Sequence, residues 1–177
     1  MEISVDAQTR NARILIDSFE HEFARLHFRS RRMTEFLPIE ILYRNSIGTS
    51  APSNQNSIGE SILRSAAAIE QTFGGITANL WDDPFEWTLP ETLATSNQVI
   101  EYLAEVEETR RRAFLSFTSD ADLQKGIPLP SGDIQPLVSI ILQTLVRASD
   151  YQGRAIAMVK NLSDERVSWA NIQDVLR

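Results

Sequence analysis

The sequence predicts an all-α fold, a four-helix bundle formed by a single domain of 177 residues. Four long segments carry apolar residues at helical spacing, and each apolar stripe must be buried against another element. No segment shows sustained alternation of apolar and polar residues, so we expect no sheet. Hydrophobic residues make up 42% and charged residues 23%, which is typical of a globular chain that needs no cross-links.

The predicted helices span about residues 7–36, 57–80, 95–118 and 133–162, and a further short helix is expected at about 169–176. Proline and glycine mark the connections between them. On the third helix one line contains Val99, Leu103, Val106, Arg110, Ala113 and Phe117. The other three segments also bring an apolar residue back every three or four positions, and their stripes include Leu15 on the first, Leu80 on the second and Ile134 on the fourth.

Local signals set several helix ends. Pro38 ends the first helix, and we expect one helical turn at 38–42 before a loop rich in Ser, Asn and Gly. Ser57 and Glu60 have the spacing of a capping box, which predicts the start of the second helix. Its paired glycines, Gly74 and Gly75, suggest a place where a neighbouring helix comes close.

The connection at 81–94 holds two tryptophans and two prolines, which indicates a packed segment. Extended, it could span ~45 Å, so the second and third helices could run parallel. Its acids, Asp82, Asp83 and Glu86, are interpreted as capping and solubilising groups rather than as a site for a hard cation. The aromatic part, Trp81 to Trp87, could supply an interface for a homodimer.

Composition excludes several classes of function. Without cysteine the chain has no disulfide, no thiolate metal ligand and no cysteine nucleophile. A net charge of −7 disfavours nucleic acid as a partner, and the arginines at 29–32 and 110–112 are interpreted as solvated faces beside acids. The longest apolar stretch, Leu137 to Val146, is far short of the ~20 residues that span a bilayer. Charges near the amino terminus interrupt any signal sequence, so we expect a cytoplasmic protein.

Only two histidines are present, His21 and His27. Residues six apart on a helix point in different directions, so this pair cannot chelate one ion. Relative to the apolar stripe, His21 should face solvent and His27 should lie at the edge of the core. The sequence contains no phosphate-binding glycine loop, nucleophile elbow or zinc-protease motif.

Polar side chains interrupt the predicted apolar stripes. They are Ser65, Arg110, Arg147 and Tyr151. Buried polar groups must be paired or hydrated. One interpretation is a polar pocket inside the bundle, which Glu70 and Asp150 would also line. The other is a satisfied internal network, with arginines that extend out of the edge of the core.

Several segments together resemble the DinB-like superfamily of bacterial four-helix proteins. PIEIL at 38–42 and SIGESIL at 57–63 are similar to that family's LP-x-E-x-L and SIGE-x-L segments. AAAIEQTF at 66–73 resembles its second helix, and YQGR at 151–154 stands where the family often has His-Arg-Gly-Gln. The resemblance covers residues 8–162 and implies a four-helix bundle with long connections, followed here by a short C-terminal extension.

The family typically holds one divalent metal with three histidines, and some members use it to activate a thiol for transfer. The resemblance places the matching positions at Ser65 (or its neighbour Arg64), Arg147 and Tyr151. None of them is a histidine, and arginine has no lone pair to offer at neutral pH. We therefore expect no metal and no cofactor here. An arginine in this place suggests a positive charge that replaces the cation, or a pocket for an anion.

Two functional hypotheses follow. The first is a metal-free, non-catalytic bundle that binds a small molecule, including an anionic one, or a protein partner. The second is an enzyme, either of the metal-dependent, thiol S-transferase type with a displaced site, or with metal-free acid–base chemistry. The displaced site would use Glu22, His27 or Glu70, and the acid–base chemistry would use Arg147, Asp150 and Tyr151. A homodimer is compatible with either hypothesis.

Overall fold

Four long helices and one short one make up most of the fold. The computed structural model describes residues 12–44, 57–84 and 92–162. In chain order the helices are α1 (Ile14–Phe36), α2 (Ile39–Leu42), α3 (Ile58–Ala78), α4 (Ser96–Ser116) and α5 (Leu137–Lys160). The all-α prediction is confirmed, and the helix expected at 169–176 lies outside the described residues.

A contact from a distant segment caps the start of α1. The backbone N–H groups of Leu15 and Ile16 both donate to the carboxylate of Asp120, each at 3.0 Å. The N–H groups in the first turn of an α-helix have no carbonyl acceptor within the helix, so Asp120 supplies the missing acceptor. The predicted start near residue 7 falls outside the described residues, and within them the helix begins at Ile14 after a turn.

The starts of α3 and α4 are set locally. Ser57 and Glu60 form the predicted capping box, in which the hydroxyl accepts from the Glu60 N–H and the carboxylate accepts from the Ser57 N–H. A second capping box, between Thr95 and Gln98, begins α4 and was not predicted. The helical turn expected at 38–42 is present as α2.

The connection between α4 and α5 departs from the prediction of no sheet. It contains a 3₁₀ helix (Asp120–Gln124) and a two-stranded antiparallel hairpin of β1 (Gly126–Pro128) and β2 (Ile134–Pro136). Strands of three residues are too short to show a period of two. The hairpin also delays α5, which begins at Leu137 rather than at the predicted residue 133.

Helices α3 and α4 lie side by side and run in the same direction. Glu70 meets Tyr102 early in α4, and Phe73 meets Phe114 near its end, with ring centroids 5.3 Å apart. Positions later in one helix therefore contact positions later in the other. The connection between these helices is long enough for this parallel crossover.

On its other side α3 packs against α5 in the opposite direction. The Ser65 hydroxyl donates to the Ala148 carbonyl at 2.9 Å, and the hydroxyl oxygens of Thr72 and Thr144 are 2.7 Å apart. Because Thr144 donates its proton to the Ile140 carbonyl, the hydrogen between the two threonines comes from Thr72. The second and fourth long helices are thus neighbours.

Helix α1 closes the bundle by packing against both α4 and α5. Arg13 at its start donates to the Phe117 carbonyl, whereas His27, further along, reaches the backbone of Leu103. Helix α1 therefore runs antiparallel to α4. The four long helices follow an up-down-down-up order along the chain, with α3 between α4 and α5.

The predicted apolar stripes are buried along most of their length, but some of their residues at the helix ends are exposed. Every residue of the predicted α4 stripe is buried. In contrast, Leu15, Leu80 and Ile134 were assigned to stripes but are exposed. Leu15 lies in the first turn of α1, Leu80 follows the end of α3, and Ile134 belongs to β2. All three positions therefore lie at or beyond the ends of the long helices.

The glycine pair of α3 accommodates the chain that follows it, and not a neighbouring helix as expected. A Cβ on Gly75 would lie 2.4 Å from the ring of Trp81. Asn79 adopts a left-handed conformation with φ of 56° and turns the chain back over the helix. The indole N–H of Trp81 then donates to the Asn79 side chain at 3.1 Å.

Candidate functional site

Ser65 belongs to the packed interior of the bundle. It is buried, and its hydroxyl is satisfied by the Ala148 carbonyl. It faces an internal cavity of about 20 Å³ that His27, Glu107 and Arg110 also line. Ser65 therefore does not share a pocket with Arg147 and Tyr151.

Arg64, the residue before Ser65, does share a pocket with Arg147 and Tyr151. Arg64, Arg147 and Tyr151 line a small cleft of about 30 Å³ between α3 and α5, together with Ala67, Ala68 and Asp83. Both candidate positions on this helix lie toward α5, but Arg64 lines the cleft, whereas Ser65 donates to the Ala148 carbonyl in the interior. Two guanidinium groups, one phenol and one carboxylate thus surround one opening.

Arg147 lies at the exposed edge of this cleft, and specific contacts orient it. Its Nη2 donates to the Gln71 side-chain oxygen at 2.8 Å and to the Ala68 carbonyl at 3.3 Å. The amide nitrogen of Gln71 in turn donates to the Trp81 carbonyl at 2.9 Å. Gln71 thus links Arg147 to the connection after α3. Nothing in the sequence pattern singles out Gln71.

Asp150 turns away from the cleft. It forms a surface ion pair with Arg154, one turn later on α5. The guanidinium carbon of Arg154 lies 5.2 Å from the centroid of the Tyr151 ring. Asp150 therefore does not line the cleft that Arg147 and Tyr151 share.

Arg110 is 2% exposed and fully engaged in the core. Glu107, one turn earlier, accepts from its Nε at 3.0 Å and from its Nη2 at 2.7 Å. The Glu20 carbonyl accepts from Nη1 at 3.5 Å, and the Phe114 ring centroid is 5.5 Å from the guanidinium carbon. Arg110 is thus a satisfied internal residue and not a pocket residue open to a ligand.

The two histidines lie as predicted, with His21 exposed and His27 partly buried. Burial, and secondarily Arg110 and Arg31, lower the pKa of His27, while the Glu107 carboxylate opposes them by raising it. His27 therefore favours its neutral form inside the bundle.

Glu70 faces a different opening from Arg147. It lines a groove of about 620 Å³ between α3, α4 and the chain at 80–84. The hydroxyl of Tyr102 donates to the Glu70 carboxylate at 2.6 Å. Burial raises the pKa of Glu70, although the hydrogen bond from Tyr102 lowers it. The sequence reasoning missed Tyr102, which lies beside Leu103 of the α4 stripe.

Within residues 12–44, 57–84 and 92–162, no three His, Asp or Glu side chains are grouped so that they could hold a metal ion. Glu22 forms a surface ion pair with Arg25, His27 lines the internal cavity, and Glu70 lines the groove. Asp82 lines the groove and Asp83 the cleft, while Glu86 lies outside the described residues.

Searches of protein-family models, of curated proteins and of solved structures gave no match to this chain. The DinB-like resemblance therefore stays an expectation based on the sequence segments quoted above. The two helices that would carry the metal ligands in that family, α3 and α5, do lie side by side here. In the described part of the chain, no helix is long and apolar enough to cross a bilayer.

Proposed function

We propose that this protein is a DinB-like bundle that acts as a binding protein, and that the cleft between α3 and α5 binds a small anion. The observation that carries the proposal is the pairing of Arg64 and Arg147 with Tyr151 around one opening. These positions match the family's metal-ligand positions once Arg64 is taken on α3. The chain as a whole carries a charge of −7, so two guanidinium groups at one cleft are a local exception.

The free donors of Arg147 suit an anion. Its Nη2 is occupied by Gln71 and Ala68, but Nε and Nη1 have no partner among the described residues. A guanidinium offers its remaining donors in a planar fork that matches a carboxylate or phosphate. With about 30 Å³, the cleft has room for one anionic group while the rest of a ligand stays in solvent.

The surroundings of the cleft favour binding over catalysis. Arginine cannot act as a metal ligand or as a base at neutral pH, and Asp150 is paired with Arg154 outside the cleft. The one carboxylate of the lining, Asp83, leaves the two arginines in excess. We therefore propose no resident metal and no catalytic group at this site.

The test is binding of inorganic phosphate, measured by titration calorimetry at neutral pH and low ionic strength. We expect Arg147→Met to weaken phosphate binding by about tenfold or more, because a charge-assisted contact contributes roughly 1.5–3 kcal/mol. Unfolding by urea should change by less than about 1 kcal/mol, since Arg147 is exposed.

The matched control is Arg31→Met, which removes the same charge from the exposed face of α1, where Arg31 pairs with Glu35. Equal weakening in both variants would show that phosphate responds only to net charge. Unchanged binding in Arg147→Met, with Arg64→Met also unchanged, would exclude the cleft as the site.

A further inference from the structure

The groove beside Glu70 is the largest of the openings described here. Its volume of about 620 Å³ lies within the range of roughly 300–1,000 Å³ that is typical of small-molecule sites. Gly74 and Thr77 of α3 form one wall, Thr109 of α4 another, and Leu80 and Asp82 a third. It is separate from the cleft that Arg147 lines.

One carboxylate is held in this groove in a fixed position. The Tyr102 hydroxyl, on a buried side chain, donates to Oε2 of Glu70 at 2.6 Å. Oε1 has no partner among the described residues. Burial and the adjacent carboxylate raise the pKa of Tyr102 far above its ordinary value, so the phenol stays neutral and remains a donor. Glu70 is thus anchored on one side and available on the other.

Glu70 differs from Glu107, another partly buried carboxylate of the bundle, which has a cation beside it. Glu107 is paired with the Arg110 guanidinium through two hydrogen bonds. Glu70 receives only a neutral phenol. Arg112, the one base among the described residues of the groove lining, is largely exposed, and its Nε lies 3.8 Å from a carboxylate oxygen of Glu108. A carboxylate withdrawn from water without a cation is unfavourable unless a partner compensates for the lost hydration.

We infer that the groove binds an organic cation, an amine with an apolar body, whose ammonium group pairs with Glu70. Asp82 adds a second negative charge to the lining, and Leu80, Ala78 and Pro84 provide apolar surface for the body of the ligand. Gly74 keeps the wall free of a side chain at this point. This site is independent of the proposed anion cleft.

The probe is 2-phenylethylamine, compared with its neutral isostere 2-phenylethanol, titrated into the full chain at pH 7.5 and followed by calorimetry and amide NMR. We expect the amine to bind about tenfold tighter than the alcohol, which corresponds to one charge-assisted hydrogen bond. Amide shifts should concentrate at Gly74, Thr77 and Thr109. Glu70→Gln should abolish the preference for the amine, while Tyr102→Phe, which keeps the carboxylate, should reduce it by less.

Glu35→Gln is the matched control, since it removes one carboxylate from α1 and should bind both probes like the parent. Equal binding of amine and alcohol by the parent, or unchanged amine binding in Glu70→Gln, would overturn the inference. Phosphate binding at the cleft and amine binding at the groove are measured in separate titrations, so the two proposed sites can fail separately.

Discussion

Arg110 and Arg147 both interrupt apolar stripes, yet their guanidinium groups end in different environments. Arg110 points into the contact between α1 and α4, where Glu107 from its own helix pairs with it. Arg147 points to the outer edge of the contact between α3 and α5, where a side-chain amide and a carbonyl accept from it. The internal network and the arginine at the core edge, which were one interpretation of the sequence, are therefore both present.

Replacing Arg110 with methionine should lower the free energy of unfolding by about 3 kcal/mol, because Glu107 is left as a partly buried carboxylate without its cation. Urea denaturation at pH 7 measures this loss. Adding Glu107→Gln to the Arg110→Met variant should restore part of the lost stability, since the unpaired carboxylate is then removed. A single variant as stable as the parent would mean that the ion pair contributes nothing net.

Replacing Glu70 with glutamine should raise stability slightly at pH 7. Burial raises the pKa of Glu70, so the folded protein binds its proton more tightly than the unfolded chain does. The stabilising effect of this proton is present at low pH and is lost as the pH rises from the ordinary value of 4.5 through the raised pKa. Above the raised pKa, the charged Glu70 carboxylate lowers the free energy of unfolding, whereas a neutral glutamine at this position does not.

After allowance for partial exposure, the gain should be on the order of 0.5 kcal/mol at pH 7, and it should disappear near pH 4. Urea denaturation at both pH values tests this dependence. A variant that is less stable than the parent at pH 7 would show that the bond from Tyr102 to the charged carboxylate outweighs the cost of burial.

At the scale of the helices, ends are set by two kinds of contact. Ser57 and Thr95 cap α3 and α4 from positions next to the helices they start. Asp120 caps α1 from beyond α4, and Trp81 folds back over the last turns of α3. Local caps are visible in the sequence as a residue pair at a spacing of three, whereas the distant contacts have no such signature.

Removing the distant cap with Asp120→Ala should cost about 1 kcal/mol of stability, because two N–H groups of α1 lose their acceptor. Hydrogen exchange should also speed up at Leu15 and Ile16 but not in the middle of α1. Asp133→Ala is the matched control, since the Asp133 carboxylate accepts only from the Ser131 hydroxyl among the described residues, within the hairpin turn. An equal effect of the two variants would contradict the capping role.

Two glycines in helices should respond to alanine in opposite directions. Gly153 of α5 is exposed and a Cβ there meets nothing within 4 Å, so Gly153→Ala should stabilise by roughly 0.5–1 kcal/mol through helix propensity. Gly75→Ala should destabilise by about 1–3 kcal/mol, because the new methyl group overlaps the Trp81 ring. Thermal unfolding followed by circular dichroism compares them. Stabilisation by both would mean that Trp81 does not pack on α3.

At the scale of the whole molecule, α3 is the central element. It lies between α4 and α5 and lines both proposed sites, with Arg64 and Ala68 at the anion cleft and Glu70 at the groove. Gln71 lines the groove and also orients Arg147 across the boundary between the two openings. The homodimer expected from the aromatic connection stays a prediction.

The folded state should not depend on a divalent metal. Only a ligand that prefers the folded protein raises its stability, so removal of a resident metal would lower the melting temperature. We expect EDTA to leave the melting temperature unchanged, measured by calorimetry on protein purified without chelator. A fall of several degrees, restored by zinc or nickel, would instead support the metal-dependent alternative.

Sequence patterns predict the helical class, the number of long helices, the capping box of α3, the buried stripe of α4 and the exposure of the two histidines. These properties depend on residues close together along the chain, and the helical period relates them directly. Sequence patterns also identify Arg147, Tyr151 and the pair Arg64 and Ser65 as positions of interest, but they cannot choose within that pair.

The packing of the helices, and not the sequence pattern, shows that Arg64 lines the cleft while Ser65 donates to the Ala148 carbonyl in the interior. Neighbouring residues on a helix point about 100° apart, so the rotation of α3 against α5 makes this choice, and that rotation results from packing along the whole interface. The bond from Tyr102 to Glu70 and the cap from Asp120 likewise depend on which helices become neighbours. Spacing along the chain carries no information about such pairs, because their members are brought together only when the bundle forms.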